Sequence, residues 1–396
     1  MIFQTLDDKG ECFGIYANGE LHFEDIPSEI NATWAYSPIC HGRDVQFAQI
    51  YCGGKSLREV CPDSCTEDYE RVSKKMKSFL KSFHFSKIDL SENCFYDIVP
   101  SRFLLEFYDV KSQICQHVFE SCEKPEYHSF MTKIMEMTHG ISSQPFVVDM
   151  LPLGKMLTNP AALSLRQKLS QSNFQYARYN AFGTVTGRLT TYRNSFPILT
   201  LGKKFREIVK PKNDVLVEID FNAAELRTLL GLSGHQQPRG DIHAWNMREI
   251  FSDIEITRDE AKKKIFSWLY NPNSLNKTAE KFYFREKLVD KYFHNGTVST
   301  PMGRKISAEN RTALNYLIQS TTSDIFLNSA YKIWHSLKES ESEVRFLVHD
   351  SVLLDVKMCD MPMIKKLVSD FSQTPLGKYE VGVSVGESYG YMRKLK

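Results

Sequence analysis

Two apolar runs that meet carboxylates limit what this chain can be. VLVEID (215–220) is β-rich and stops at Asp220, and RFLVHDSVLLDV (345–356) is two apolar runs parted by His349-Asp350-Ser351. A polar break between two such runs predicts a hairpin or tight strand connection. AAELRTLLGLS reads as a helix after the first acid; ITRDEAKKKIFSWLY and ENRTALNYLIQSTTSDIFLNSAYKIWHSL read as helices before the second. Acid-bearing strands with long helices between them predict an α+β arrangement. Two carboxylates at strand ends suit a hard divalent cation such as Mg²⁺, whose shell substrate phosphates would complete. Taken singly, an Asp at a strand end is more often a turn residue or a helix cap.

A helix stripe adds to the pair. Arg258, Lys262, Phe266 and Tyr270 recur every four residues, so they wind slowly along one helix face. Two cations followed by two rings suit a nucleoside triphosphate, with charge for the phosphates and aromatic surface for sugar and base. An ordinary amphipathic helix burying Ile265, Trp268 and Leu269 gives the same spacing. Arg311, Asn315 and Gln319 form a second stripe. Amide side chains there could meet the acceptors that every base pair presents in the minor groove, although an exposed polar face would look alike.

Composition narrows little. The 50 basic and 48 acidic residues leave a net charge of +2, which neither requires nor excludes nucleic acid, since local clusters matter more than totals. Such clusters occur at Lys203, Lys204, Arg206, Lys210 and Lys212, and again at Arg258 and 262–264. No apolar run approaches the ~18–20 residues of a membrane span. The start MIFQTLDDKGECFG lacks a basic-then-apolar leader, and the expectation is a cytoplasmic protein. The 9 cysteines lack zinc-site spacing and read as free thiols of a reducing compartment. Residues 1–85 read as strands and turns followed by a helix from Thr66 to Phe85. Two helical patterns over 98–141, broken at Glu123-Lys124-Pro125, predict two helices packed as an antiparallel arm.

In this order the motifs closely resemble those of family A DNA polymerases, the bacterial polymerase I type. The resemblance spans about residue 180 to the C-terminus, with weaker support over 98–175. TGRLT (186–190) resembles TGRLS, and DFNAAELRTLLGLS (220–233) is similar to the first catalytic motif, DYSQIELRxxAHLS. DIH (241–243) is similar to the KDIH element. The Arg258-Lys262-Phe266-Tyr270 spacing matches the nucleotide-binding helix. Arg311-x3-Asn315-x3-Gln319-Ser-Thr-x-x-Asp324 resembles RxxxNxxxQGTxxD, VHDSVLLDV resembles VHDEL, and VGVSVGESYG is similar to the family's closing stretch.

The resemblance implies a right-hand polymerase: a small N-terminal domain over 1–85, a helical thumb and start of palm over 86–175, and palm with shortened fingers over 176–396. It implies a DNA-directed DNA polymerase that extends a primer on template DNA with dNTPs and two Mg²⁺ ions, Mn²⁺ being a possible substitute. Asp220 and Asp350 would hold the metals. Arg258, Lys262 and His243 would meet the triphosphate, Lys262 also aiding leaving-group protonation. Phe266 and Tyr270 would pack on sugar and base. Arg188, Arg311, Asn315, Gln319 and His349 would contact DNA. Glu225 would fill the space that a ribose 2′-OH needs, and together with Phe266 it favours DNA over RNA synthesis.

Three departures accompany the resemblance. Ser351 replaces the acid that usually follows the second Asp. Asn271 stands where Gly usually follows the Tyr, and Asn tolerates positive φ. The Tyr270-to-Arg311 stretch is short. Asn93-Cys-Phe-Tyr96-Asp97 mimics one exonuclease motif without its companions nearby, so residues 1–85 read as a remnant or replacement without exonuclease activity. A separate exonuclease or processivity factor would then be a partner. The compact layout resembles phage polymerases, whose setting would be a host cytoplasm. The competing readings are a catalytically silent DNA-binding module and a metal-dependent nuclease.

Overall fold

The computed structural model describes residues 1–395 apart from 10–11, 24, 91, 171–175 and 272. The chain divides into two compact units, Met1–Glu136 and Met137–Lys396. Among the described residues no helix is long and apolar enough to cross a membrane.

In the first unit, strands β1 (Phe3–Lys9), β2 (Cys12–Ala17) and β3 (Glu20–His22) form an antiparallel meander. Helix α1 (Thr66–Phe85) covers the expected span, and α2 (Ser101–Ser121) and α3 (His128–Ser142) occupy the two helical patterns. Val72 and Phe83 of α1 share one buried cluster with Phe103, Leu104, Tyr108 and Ile114 of α2 and with Leu6 and Tyr16 of the sheet. The free-thiol expectation is corrected at one pair, because Cys12 and Cys94 form a disulfide. The Phe95 amide donates to Asp7 Oδ2 of β1 at 2.9 Å, which brings the 94–95 segment against the sheet that carries Cys12. The other seven cysteines are free.

The second unit is built on β4 (Val215–Phe221), flanked on both sides in a five-stranded antiparallel sheet. β5 (Glu343–Val348) and β6 (Ser351–Val356) form the hairpin read from the sequence. β7 (Val381–Ser388) and β8 (Tyr391–Lys394) complete the order β5-β6-β4-β7-β8. Strand alternation buries Val217, Ile219 and Phe221 on one face of β4, so Asp220 is displayed on the other. The chain turns at once into α4 (Ala224–Leu232), with Ala223 at φ +51°.

The helices from α4 to α7 share one apolar cluster. α5 (Ile242–Glu249) begins on Asp241, whose side chain accepts from the Ala244 amide. α6 (Arg258–Tyr270) begins on a Thr257/Glu260 capping box, which satisfies amides that the first helical turn would otherwise leave unpaired. It buries Ala261, Ile265, Trp268 and Leu269 against Leu226, Leu230, Leu317 and Ile318, the last two from α7 (Asn310–Ser336). Its other face is left for chemistry. Asn271 ends α6 in an extended conformation, φ −106° and ψ 105°, so the helix stops without a left-handed residue there. Between α6 and α7 lie two short helices, Lys277–Tyr283 and Arg285–Tyr292, and a three-stranded sheet.

Candidate functional site

Cross-strand register sets the floor of the site. Asp220 lies opposite Ser351 on β6 and opposite Gly382 on β7. Asp350 sits in the two-residue turn joining β5 to β6, next to His349 at φ +57°. A left-handed backbone at His costs free energy unless its surroundings enforce it; here the strands pairing on either side of the turn do so. The Phe221 amide donates to the Asp350 carbonyl at 3.3 Å, so the two acidic segments touch through their backbones.

The carboxylates repel one another in a crowded setting. Burial, then the charges of Asp350 and Glu218, push Asp220 up to about 7; Lys394 and Arg206 offset this in part. Asp350 is also raised, chiefly by burial. Two acids that resist ionisation in this way are an unmet demand for positive charge. Among the described residues, no group of three or more His, Cys, Asp or Glu could hold a metal alone. A cation on this pair would therefore need oxygens from substrate, in keeping with Mg²⁺ habits.

The acids open into a cavity of about 860 Å³, also lined by Arg188, Glu225, His243, Arg258, Lys262, Phe266 and His349. Nine of the thirteen residues read from the sequence thus converge on one space. The other four, Tyr270, Arg311, Asn315 and Gln319, line an adjoining hollow of about 780 Å³. Tyr270 links the two: its ring stacks on Phe266 with centroids 6.0 Å apart, and its hydroxyl donates to Glu225. Burial and the Glu225 carboxylate push that phenol up, so it remains a donor. Glu225 is also ion-paired with Arg188. Gln319 donates to Asn315 Oδ1 at 2.6 Å, and the exposed Arg311 pairs with Glu309.

Partners that no sequence spacing betrays hold several of these groups. Arg258 Nη2 lies 2.5 Å from Asp241 Oδ2. Burial works against the Asp241 charge, yet hydrogen bonds from Arg258 and the Ala244 amide carry its acid well below the usual range. Arg227, fully buried, donates to the carbonyls of Asn222, Pro238 and Gly240 and so ties the end of β4 to the loop before Asp241. The turn before Arg188 needs Gly187, at φ +76°, where a Cβ would come within 2.6 Å of the Arg304 guanidinium. Arg304 is itself held by buried Asp324 at 2.9 Å. His243 is buried, burial lowers its proton affinity, and among the described residues its Nδ1 has no partner.

The chain resembles known proteins in sequence and a solved structure in fold. No protein-family model matches the chain. It is similar to DNA polymerase I of Caldicellulosiruptor bescii, 26% identical over 276 residues covering 57% of this chain and 32% of that protein. It is also similar to the thermostable DNA polymerase I of Thermus thermophilus, 25% identical over 317 residues covering 67% and 36%. The polymerase domain of Mycobacterium smegmatis Pol1, in complex with DNA primer-template and dNTP, superposes with a TM-score of 0.64 at 14% identity, over 91% of this chain and 86% of that one. The chain is thus similar to DNA polymerase I proteins, the family A type, and it spans about a third of the length of those curated proteins. The chain carries the α+β fold of a polymerase domain, and the five-stranded antiparallel sheet supplies the acids of the cavity.

Proposed function

We propose that this chain extends the 3′-OH of a DNA primer on a template strand with dNTPs and releases pyrophosphate. The observation that carries the reading is that Asp220 and Asp350 line the same cavity, of about 860 Å³, as Arg258 and Lys262. Anionic floor and cationic wall together match a metal-complexed triphosphate, and neither alone would. The carboxylate pair would hold two Mg²⁺ ions, or Mn²⁺, whose chemistry when bound is to ease deprotonation of the primer 3′-OH and to neutralise the departing pyrophosphate.

The chain's own groups supply the rest by position and charge. Arg258 and Lys262 grip the phosphates, and Lys262 is exposed on the same helix face, available to give a proton to the leaving group. His243 Nδ1, buried and unpartnered, gains a phosphate oxygen as partner. Phe266 and Tyr270, stacked, present a ring surface to the sugar and base. Glu225, fixed by Tyr270 and Arg188, closes the space where a ribose 2′-OH would go. His349, Arg188, Arg311, Asn315 and Gln319 line the path of primer and template.

Primer extension with Mg²⁺ and dNTPs tests the reading. Template binding without extension would make the chain a silent DNA-binding module; primer shortening would make it a nuclease. Glu225→Ala should raise ribonucleotide incorporation at least tenfold, on the order expected when a site stops rejecting one hydroxyl.

A further inference from the structure

The strand face that displays Asp220 also carries Glu218, two residues earlier. Glu218 lies opposite Leu353 in register, yet its carboxylate reaches along the sheet to the neighbour of Asp350. Oε1 accepts from the Tyr389 hydroxyl at 3.2 Å and lies 3.2 Å from Ser351 Oγ, whose one proton is shared with the Val348 carbonyl at 3.1 Å. The Arg206 guanidinium stacks 4.4 Å over the Tyr389 ring, which fixes that hydroxyl from behind. Among the described residues both hydrogen bonds fall on Oε1 and none on Oε2. Among the described residues Glu218 is not one of a set of three acids close enough to ligate a cation directly, so a role toward the metal runs through an intervening water.

We infer that Glu218 is the outer-sphere acid of this site, with Ser351 and Tyr389 holding one carboxylate oxygen so that the other receives a water bound to the cation on Asp220 and Asp350. The inference rests on the metal-dependent reading above and deepens it. Ser351 is small enough to leave room beside Asp350, and Glu218 brings a carboxylate to that place from the central strand instead of from the turn. Groups that orient a metal's ligands and waters typically change affinity 10–100-fold when removed.

Mn²⁺ binding to the full chain, followed by electron paramagnetic resonance, gives a readout independent of turnover. Glu218→Gln keeps an oxygen for Ser351 and Tyr389 but removes the charge, whereas Glu218→Ala removes both. The expected result is that both variants bind Mn²⁺ about tenfold more weakly than the unchanged protein, with kcat lowered and KM for dNTP unmoved. Glu218→Gln binding Mn²⁺ like the parent, with only Glu218→Ala impaired and its melting temperature lowered, would mean that Glu218 merely braces the sheet. A parent protein that binds no Mn²⁺ and extends no primer would overturn the metal-dependent reading itself, a distinct failure.

Discussion

On the floor of the cavity two like charges crowd together, whereas on its wall opposite charges are already paired. The floor belongs to backbone: Asp220 sits in a strand hydrogen-bonded on both sides, and Asp350 in a two-residue turn held by a left-handed His349. The wall belongs to side chains: one exposed face of α6, with Arg258 resting on Asp241. A fixed floor keeps its electrostatic demand until a cation meets it, because the acids cannot move apart. A paired wall has no such demand and must exchange one anion for another when substrate arrives. The difference separates a component that is preorganised from one that reorganises.

Four experiments probe that contrast, in order of expected effect. Asp350→Asn should lower kcat for primer extension on the order of 10³-fold, since it removes charge where no other group can move in; a loss under tenfold would deny the floor its role. Lys262→Ala should cost about 10² in kcat/KM, a typical loss for a positioned proton donor and phosphate contact. Asp241→Asn keeps a cap for α5 but frees Arg258, so KM for dNTP should fall roughly threefold, the scale of an exposed ion pair; a rise in KM would mean that Asp241 positions Arg258 instead of competing for it.

The smallest effect is a pH dependence of stability. Asp220 holds its proton to about 7 in the folded chain but loses it near the ordinary carboxyl value when unfolded. Its raised folded value means that this group favours the folded state at acid pH. That contribution declines as pH rises from about 4 towards 7 and is gone above. In chelator, Asp220→Asn should therefore raise the melting temperature by a few degrees at pH 8 and less at pH 5, and Mg²⁺ should narrow the gap at pH 8.

The sequence made the floor and the wall legible for different reasons. Asp220 and Asp350 stand where apolar alternation stops, and the α6 stripe repeats at helical spacing, so local periodicity carries both. Pairings across the fold left no such trace. Asp241 precedes Arg258 by 17 residues and Cys12 precedes Cys94 by 82, and neither interval has a meaning until elements pack. Glu218 reads as an ordinary polar position in a strand until its bonds to Ser351 and Tyr389, 133 and 171 residues on, are seen. The first unit stayed opaque because its core of Phe103, Leu104 and Tyr108 serves packing and advertises no chemistry.

The ion pair between Arg258 and Asp241 also bears on how the site empties. An arginine that loses its triphosphate has an intramolecular anion waiting 2.5 Å from its folded rest position, so recapture by Asp241 competes with rebinding of pyrophosphate. The pair should thus bias the cycle forward. In Asp241→Asn pyrophosphate should dwell longer and inhibit at lower concentration, measurable as a lower product-inhibition constant.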